Sequence, residues 1–280
     1  MSLFKKLFGI FAKGNVDPPR DPAERANAVV AQLQALAQPC VRISTGGAGN
    51  SRLGGAPDLT IPWPRYEGRP LSCVAQLDLA ELRAAGGPEW LPDDGRLMFF
   101  YELKHGSWGL ETKDAGSSAV IYEVGDPKPA AEPNDLDEDA KFPAYPVKFS
   151  PAASLPSEER LQLDWRKMTK AENLAVEAAI EALQPPEPVH QVAGFPRPVQ
   201  AVEMEEQCQE VMRGLNLEGA DLKTEEHMSS TAEWRLLLQV DTDNDAGMMW
   251  GDTGMLYFWI REQDARARDF SKVWMILQCY

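Results

Sequence analysis

Histidine is scarce in this chain, and its three copies, His105, His190 and His227, stand far apart in 280 residues. They supply no Ser-His-Asp order. No G-x-S-x-G elbow presents a nucleophile, and no H-E-x-x-H sets two imidazoles on one helix face. The four cysteines, Cys40, Cys73, Cys208 and Cys279, never reach C-x-x-C spacing, which excludes the common zinc sets as well. The glycine-rich stretch Gly46 to Gly55 lacks the Gly-Lys-Ser/Thr ending of a phosphate loop, and no G-x-G-x-x-G opens a helix. Basic charge is also short: 28 Lys and Arg against 43 Asp and Glu leave a formal charge of −15. Nucleic acid is therefore excluded as a partner, because phosphate contacts need a basic stripe that releases counterions. With no small-residue secretory cleavage site, the cysteines read as reduced thiols of a cytoplasmic protein.

What the chain does have is an echo. Val74-Ala75-Gln76-Leu77-Asp78, leading to Asp93-Asp94-Gly95-Arg96-Leu97-Met98-Phe99-Phe100, returns as Leu237-Leu238-Gln239-Val240-Asp241, leading to Asp252-Thr253-Gly254-Met255-Leu256-Tyr257-Phe258-Trp259. Gly55-Ala56-Pro57 precedes the first copy and Gly194-Phe195-Pro196 the second. Three matches in one order imply a duplicated structural unit. The composition, 44% hydrophobic and 25% charged, is that of a globular protein with a sizeable core.

Residues 1–20 read as an amphipathic leader and linker. Leu3, Phe4, Leu7, Phe8 and Phe11 share one helical face beside Lys5, Lys6 and Lys13, so peripheral membrane contact through residues 3–11 is an alternative to docking on the protein itself. The segment is too short to span a bilayer. Residues 21–280 read as a single duplicated domain, with a first half over about 40–124, an acidic, Pro-rich surface connection over 125–160, and a second half over about 161–280. Asp21-Pro22-Ala23-Glu24 starts a helix that runs to about Gln38 before Pro39, and Thr169-Lys170-Ala171-Glu172 starts another to about Leu183. Val199 to Leu215 predicts a third, apolar on one face and Glu-rich on the other. Strands are predicted at Cys40 to Ser44, Leu71 to Leu77, Arg96 to Leu103, Ala119 to Val124, Trp234 to Val240, Met255 to Ile260 and Val273 to Gln278. Pro62-Trp63-Pro64 predicts an extended edge that buries Trp63. Without strict βαβ alternation the fold class is α+β: β-rich, largely antiparallel sheets with internal pseudo-duplication and a few peripheral helices.

Acids cluster in three places. Glu132, Asp135, Asp137, Glu138 and Asp139 form one run, Glu203, Glu205, Glu206 and Glu210 a second, and Asp241, Asp243 and Asp245 a third. The first two are candidate partner-binding surfaces, together with Trp108, which sits in the turn-like stretch His105 to Gly109. Asp241, Asp243, Asp245 and Asp252 echo positions 1, 3, 5 and 12 of a calcium loop. Ala246 stands where that loop needs Gly, and Asp252 replaces the longer Glu, so no cofactor is expected and calcium remains the alternative. Gln76 with Asp78, and Gln239 with Asp241, suit a structural role: Gln satisfying neighbouring backbone and Asp capping the following turn.

The stretches Gly54-Gly55-Ala56-Pro57, Trp63-Pro64, Ala75-Gln76-Leu77-Asp78-Leu79, Leu91-Pro92, Gly95-x-Leu97-x-Phe99-Phe100-Tyr101, Gly194-Phe195-Pro196, Leu237 to Asp241, Trp250-Gly251-Asp252-x-Gly254-x-Leu256-Tyr257-Phe258 and Asp269-Phe270-Ser271 together resemble the YwqG-like family of bacterial proteins, over about residues 50 to 280. That resemblance implies a β-rich, duplicated fold with no established catalytic residues. From the toxin and immunity neighbourhoods of its members it also implies a toxin-neutralising role.

The expectation is a non-enzymatic acidic binding protein, an immunity protein that neutralises a basic, nuclease-type toxin of an interbacterial secretion system by occupying its positive cleft. The alternatives are a hydrolase or ligand-binding enzyme that uses Asp78 and Asp241 as acid and base in a cleft between the halves, and a calcium-stabilised scaffold.

Overall fold

The computed structural model describes residues 21–125, 127–161, 163–200, 203–214 and 231–280. The amphipathic leader at 3–11, Leu215 and His227 lie outside the described residues. Fourteen strands are described: β1 (Gln38–Thr45), β2 (Arg52–Leu53), β3 (Asp58–Leu59), β4 (Arg65–Tyr66), β5 (Arg69–Pro70), β6 (Ser72–Asp78), β7 (Arg96–Tyr101), β8 (Ser118–Glu123), β9 (Lys128–Pro129), β10 (Tyr145–Ser154), β11 (His190–Val192), β12 (Trp234–Asp241), β13 (Met255–Arg261) and β14 (Trp274–Gln278). The described helices are α1 (Pro22–Ala35), α2 (Leu79–Ala84), α3 (Lys170–Glu181), α4 (Met204–Met212) and α5 (Glu262–Arg266).

Ten strands make one antiparallel sheet in the order β14-β13-β12-β11-β1-β10-β2-β6-β7-β8. The order has a centre. Exchange the halves and β14 takes the place of β8, β13 of β7, β12 of β6 and β11 of β2, while β1 and β10 pair in the middle from Gln38↔Ser154 to Thr45↔Val147. Both meanders carry a bulge at the same place, between Cys73 and Ala75 in β6 and between Leu236 and Leu238 in β12. A bulge inserts one unpaired residue and sharpens local twist. Val74 and Leu237 are those residues, and both belong to the central core. The outer meanders fold toward each other, so that the equivalent rings Phe99 and Phe258 meet edge to face at 5.1 Å. The internal duplication and the α+β class are thus direct properties of the fold.

Each half covers its outer face differently. In the second, Met204, Cys208 and Val211 of α4 lie on Trp234, Leu236, Tyr257 and Trp259. In the first, no helix is used: Leu59, Trp63 and Tyr66 from the 58–70 segment lie on Cys73, Met98 and Phe100. Trp63 donates its indole N–H to the Leu71 carbonyl at 2.8 Å. The helix pair α1 and α3 packs through Val29 and Leu33 against Val176 and Ile180. Asp21 caps α1 with Pro22 at its first position, and Thr169 with Glu172 forms the capping box of α3.

Two expectations change. The helix expected to run to Gln38 ends at Ala35, and Pro39 lies inside β1. More consequentially, the 125–160 segment, expected as a surface connection, contributes β10 to the middle of the sheet. Pro146 and Pro151 hid it. Val147 donates its N–H to the Ser51 carbonyl, away from β1, and strand alternation turns the Pro151 nitrogen to that same side. There β2 pairs only with Tyr145 and Pro146, so the missing donor at Pro151 leaves no ladder bond unmade.

Candidate functional site

The repeated Gln-x-Asp units can be followed atom by atom. Gln76 accepts the Asp58 N–H at 2.8 Å and donates to the Asn50 carbonyl at 3.2 Å. Gln239 accepts the Arg197 N–H at 2.9 Å and donates to the Val189 carbonyl at 2.7 Å. Both side chains are fully buried. Each clamps the chain on either side of its short strand, β2 or β11, which runs into a Gly-x-Pro turn. That turn needs left-handed backbone: Gly54 has φ +60° and Gly55 +73°, and Ala193 and Gly194 take 62° and 74° in the second copy. A Cβ on Gly194 would collide with the Ser154 hydroxyl. The glutamines are therefore structural amides, holding backbone groups that leave the ladder inside the protein.

The aspartates follow the same plan with different partners. Asp78 accepts the N–H groups of Ala80 and Glu81 at 3.0 and 3.1 Å as the N-cap of α2, while its own N–H goes to the Ser51 hydroxyl at 2.9 Å. At the equivalent place, the Asp241 N–H goes to His190 Nδ1 at 3.0 Å, and its carboxylate accepts the Val189 N–H at 2.7 Å. Since Nδ1 accepts, Nε2 carries the imidazole proton and donates it to Asp243 at 3.2 Å. That bond holds the Asp243 carboxyl below its ordinary pKa, whereas burial pushes Asp241 up. Both ring nitrogens of His190 are occupied, and each aspartate is committed within its own half, so the geometry does not unite Asp78 and Asp241 as an acid–base pair.

The calcium reading meets the same obstacle. Asp243 also accepts the N–H groups of Asp245 and Ala246 at 2.9 and 3.1 Å, while Asp245 and Asp252 are exposed. Among the described residues no group of three or more His, Cys, Asp or Glu side chains is gathered to hold a metal. The loop closes as a turn, by Asp243 pairing with Met248.

The acidic runs are less free than their composition suggests. Asp135 takes Arg65 through both oxygens at 2.7 and 2.8 Å, Asp137 meets Lys104 at 3.1 Å, and Glu138 meets Lys141 at 2.5 Å. All three stay exposed in these pairs, as do Glu132 and Asp139. Of the second run of glutamates only Glu203, the N-cap residue before α4, is exposed; Glu206 is half-buried, and Glu205 pairs with Arg160 at 2.8 Å. Glu210 is 1% exposed, a correction to the solvated Glu face expected of this helix. The helix is wedged between neighbours, as the bond from the Trp234 indole to Gln209 at 2.9 Å shows.

Trp108 is 40% exposed. Its loop lies along the outer edge of β14: Leu277 donates to the Trp108 carbonyl at 3.0 Å, and the Trp274 indole to the Gly109 carbonyl at 2.7 Å. An otherwise open sheet edge is thereby covered. Three loops converge here. Lys104 ties 104–110 to 137–143 through Asp137, Tyr101 donates to the Ser107 carbonyl at 3.0 Å, and the Trp250 ring packs on Tyr101 at 6.1 Å and on Phe142 at 5.5 Å. Their outer surfaces carry exposed Trp108, Leu110 and Met249 and the exposed acids Asp139, Asp245 and Asp252.

A family model described as a domain of unknown function, DUF1963, matches residues 51–279. The chain belongs to the DUF1963 family. The match is consistent with the YwqG-like resemblance and takes in both copies of the repeated unit. No curated protein matches the chain. Several polar residues of this DUF1963 domain were not legible beforehand. Ser51 and His190 occupy equivalent places with unlike side chains, so the echo does not reveal them. Arg52 and Arg96 meet at Asp58, at 3.5 and 3.0 Å, a network with no counterpart in the second half, where Arg197 takes the place of Asp58.

Two outcomes follow from these burials. Gln239→Leu strands the Arg197 N–H and the Val189 carbonyl, and should destabilise the fold by roughly 2–5 kcal/mol in urea unfolding; a loss below about 0.5 kcal/mol would refute the clamp. Among the described residues neither Glu210 oxygen has a hydrogen-bond partner, and burial raises its pKa. Its ionised form therefore costs stability once pH rises above the unfolded-state pKa. Glu210→Gln should gain about 1–3 kcal/mol at neutral pH, with the gain shrinking as pH falls and the native glutamate takes up its proton. A thermal-unfolding pH series checks both sign and trend.

Proposed function

We propose that this chain is a non-enzymatic binding protein that captures a basic protein on the face formed by the loops 104–110, 137–143 and 243–252. The observation that carries the reading is an exposed aromatic, Trp108, on one of three converging loops that also carry exposed Leu110 and Met249 and the exposed carboxylates Asp139, Asp245 and Asp252. Interfaces draw most of their binding energy from a few buried aromatic or arginine anchors, and surrounding charge sets the encounter rate. A net charge of −15 steers a cationic partner toward such a face at long range. The engagement of the repeated Gln and Asp side chains with backbone also favours a binding role over catalysis.

The partner of best chemical fit is a nuclease. Its active cleft must be positive to hold phosphate, and an acidic face that fills the cleft excludes substrate. Neutralising a nuclease toxin in this way is the work of an immunity protein, and a cytoplasmic setting agrees with four buried, unpaired cysteines. No helix among the described residues is long and apolar enough to cross a membrane. Glu205, Glu206 and Glu210 drop out of the contact surface, because they are paired or at least half-buried; the loop acids take their place.

Affinity capture on the immobilised chain from extracts of the source cell, followed by kinetics on the recovered protein, tests this. The partner should be basic, Trp108→Ala should speed dissociation by about 10- to 30-fold, and Asn at Asp139, Asp245 and Asp252 together should slow association and flatten its salt dependence. A neutral or acidic partner, or rates indifferent to both sets of changes, contradicts the proposal.

A further inference from the structure

A cavity of about 490 Å³ opens between the end of β10, the end of α3 and the turn after β11. Its lining shares no residue with the loop face and it rests on different observations. Arg42 and Arg197 line it, with Ser157 beside them. Each of these three has a buried polar atom with no hydrogen-bond partner among the described residues: one terminal nitrogen of each guanidinium, and the serine hydroxyl. Arg197 pairs through its other terminal nitrogen with Glu187 at 2.8 Å, but among the described residues no carboxylate pairs with Arg42. Burial, and repulsion from the Arg197 charge, lower the affinity of Arg42 for its own proton, partly offset by Cys40.

Two half-buried cations facing one cavity are costly, since desolvation and like-charge repulsion add. The other half of the molecule shows what satisfies such a pair: there Asp58 sits between Arg52 and Arg96. In the second half the position equivalent to Asp58 is Arg197 itself, held by the Gln239 clamp at its backbone N–H. The sign is reversed, and Glu187 answers Arg197 alone. Glu158, Glu159 and Glu181 also line the cavity, of which Glu159 and Glu181 are exposed. Such acids disfavour a long polyanion and leave room for a compact one.

We infer that this cavity binds a small phosphorylated molecule, its phosphate seated between the Arg42 and Arg197 guanidinium groups with the Ser157 hydroxyl nearby. Donors from three separate chain segments suit a tetrahedral oxyanion, whereas a planar carboxylate is served by a single arginine fork. The volume is that of ordinary metabolite sites.

Inorganic phosphate is the probe. Added to the full chain at ionic strength matched with potassium chloride, it should raise the unfolding temperature saturably. Arg42→Gln should leave the phosphate-free unfolding temperature unchanged or higher, because it removes an unpaired buried charge, and should weaken phosphate binding at least about tenfold by calorimetry. On the unsubstituted chain, phosphate should slow phenylglyoxal modification of Arg42, read by peptide mass, which keeps the test independent of how the variant folds. No response beyond chloride, a response that survives Arg42→Gln, one that acetate reproduces, or unprotected Arg42 would each overturn the assignment.

Discussion

Two buried carboxamides hold this fold together where its hydrogen-bond ladders fail. Gln76 and Gln239 each stand next to a short strand that runs into a left-handed turn, and there the backbone has an N–H and a carbonyl with no strand to receive them. Water cannot reach either glutamine, so the amide supplies both a donor and an acceptor at one point. Each clamp spans a Gly-x-Pro turn, and the paired bulges lie two residues before the glutamines in β6 and β12. The sheet is thereby built twice from one plan, with β1 and β10 as its seam.

That economy bears on function. Residues kept in both copies are committed to the frame: the glutamines to backbone, Asp78 to the α2 N-terminus, Asp241 to Val189. What differs between the copies is free to be particular. The first half places α2 after its aspartate, whereas the second places the 242–252 loop there. Asp58 sits in an ion network, but its counterpart Arg197 borders a cavity. The differences, more than the repeats, are where binding chemistry has room to sit, and both the loop face and the two-arginine cavity arise from them.

Much of the frame was legible from the chain. Alternating and aromatic-rich segments located the long strands, capping boxes located α1 and α3, and the Gln-x-Asp echo announced the duplication. β10 was not legible, because Pro146 and Pro151 read as exclusion from a sheet interior, and only the open side of that strand makes them harmless. β11 is three residues long and carries no periodicity to detect. The pairing of the acidic runs was not legible for a different reason: composition counts carboxylates but not their partners, and Arg65, Lys104 and Arg160 come from sequence positions far from the acids they meet. The cavity arginines, Arg42 and Arg197, lie more than a hundred residues apart in the chain, and nothing local marks either one.

Amide hydrogen exchange at Asp58 and Arg197 tests the central claim most directly, since these N–H groups are bonded by the Gln76 and Gln239 side chains and not by the backbone of a neighbouring strand. If the clamps are permanent parts of the frame, both amides should exchange as slowly as those of β6 and β12, opening only with the whole domain. Exchange orders of magnitude faster than in those strands would mean that the glutamines release their backbone partners in the native state, and would contradict the assignment of the repeated residues to structure.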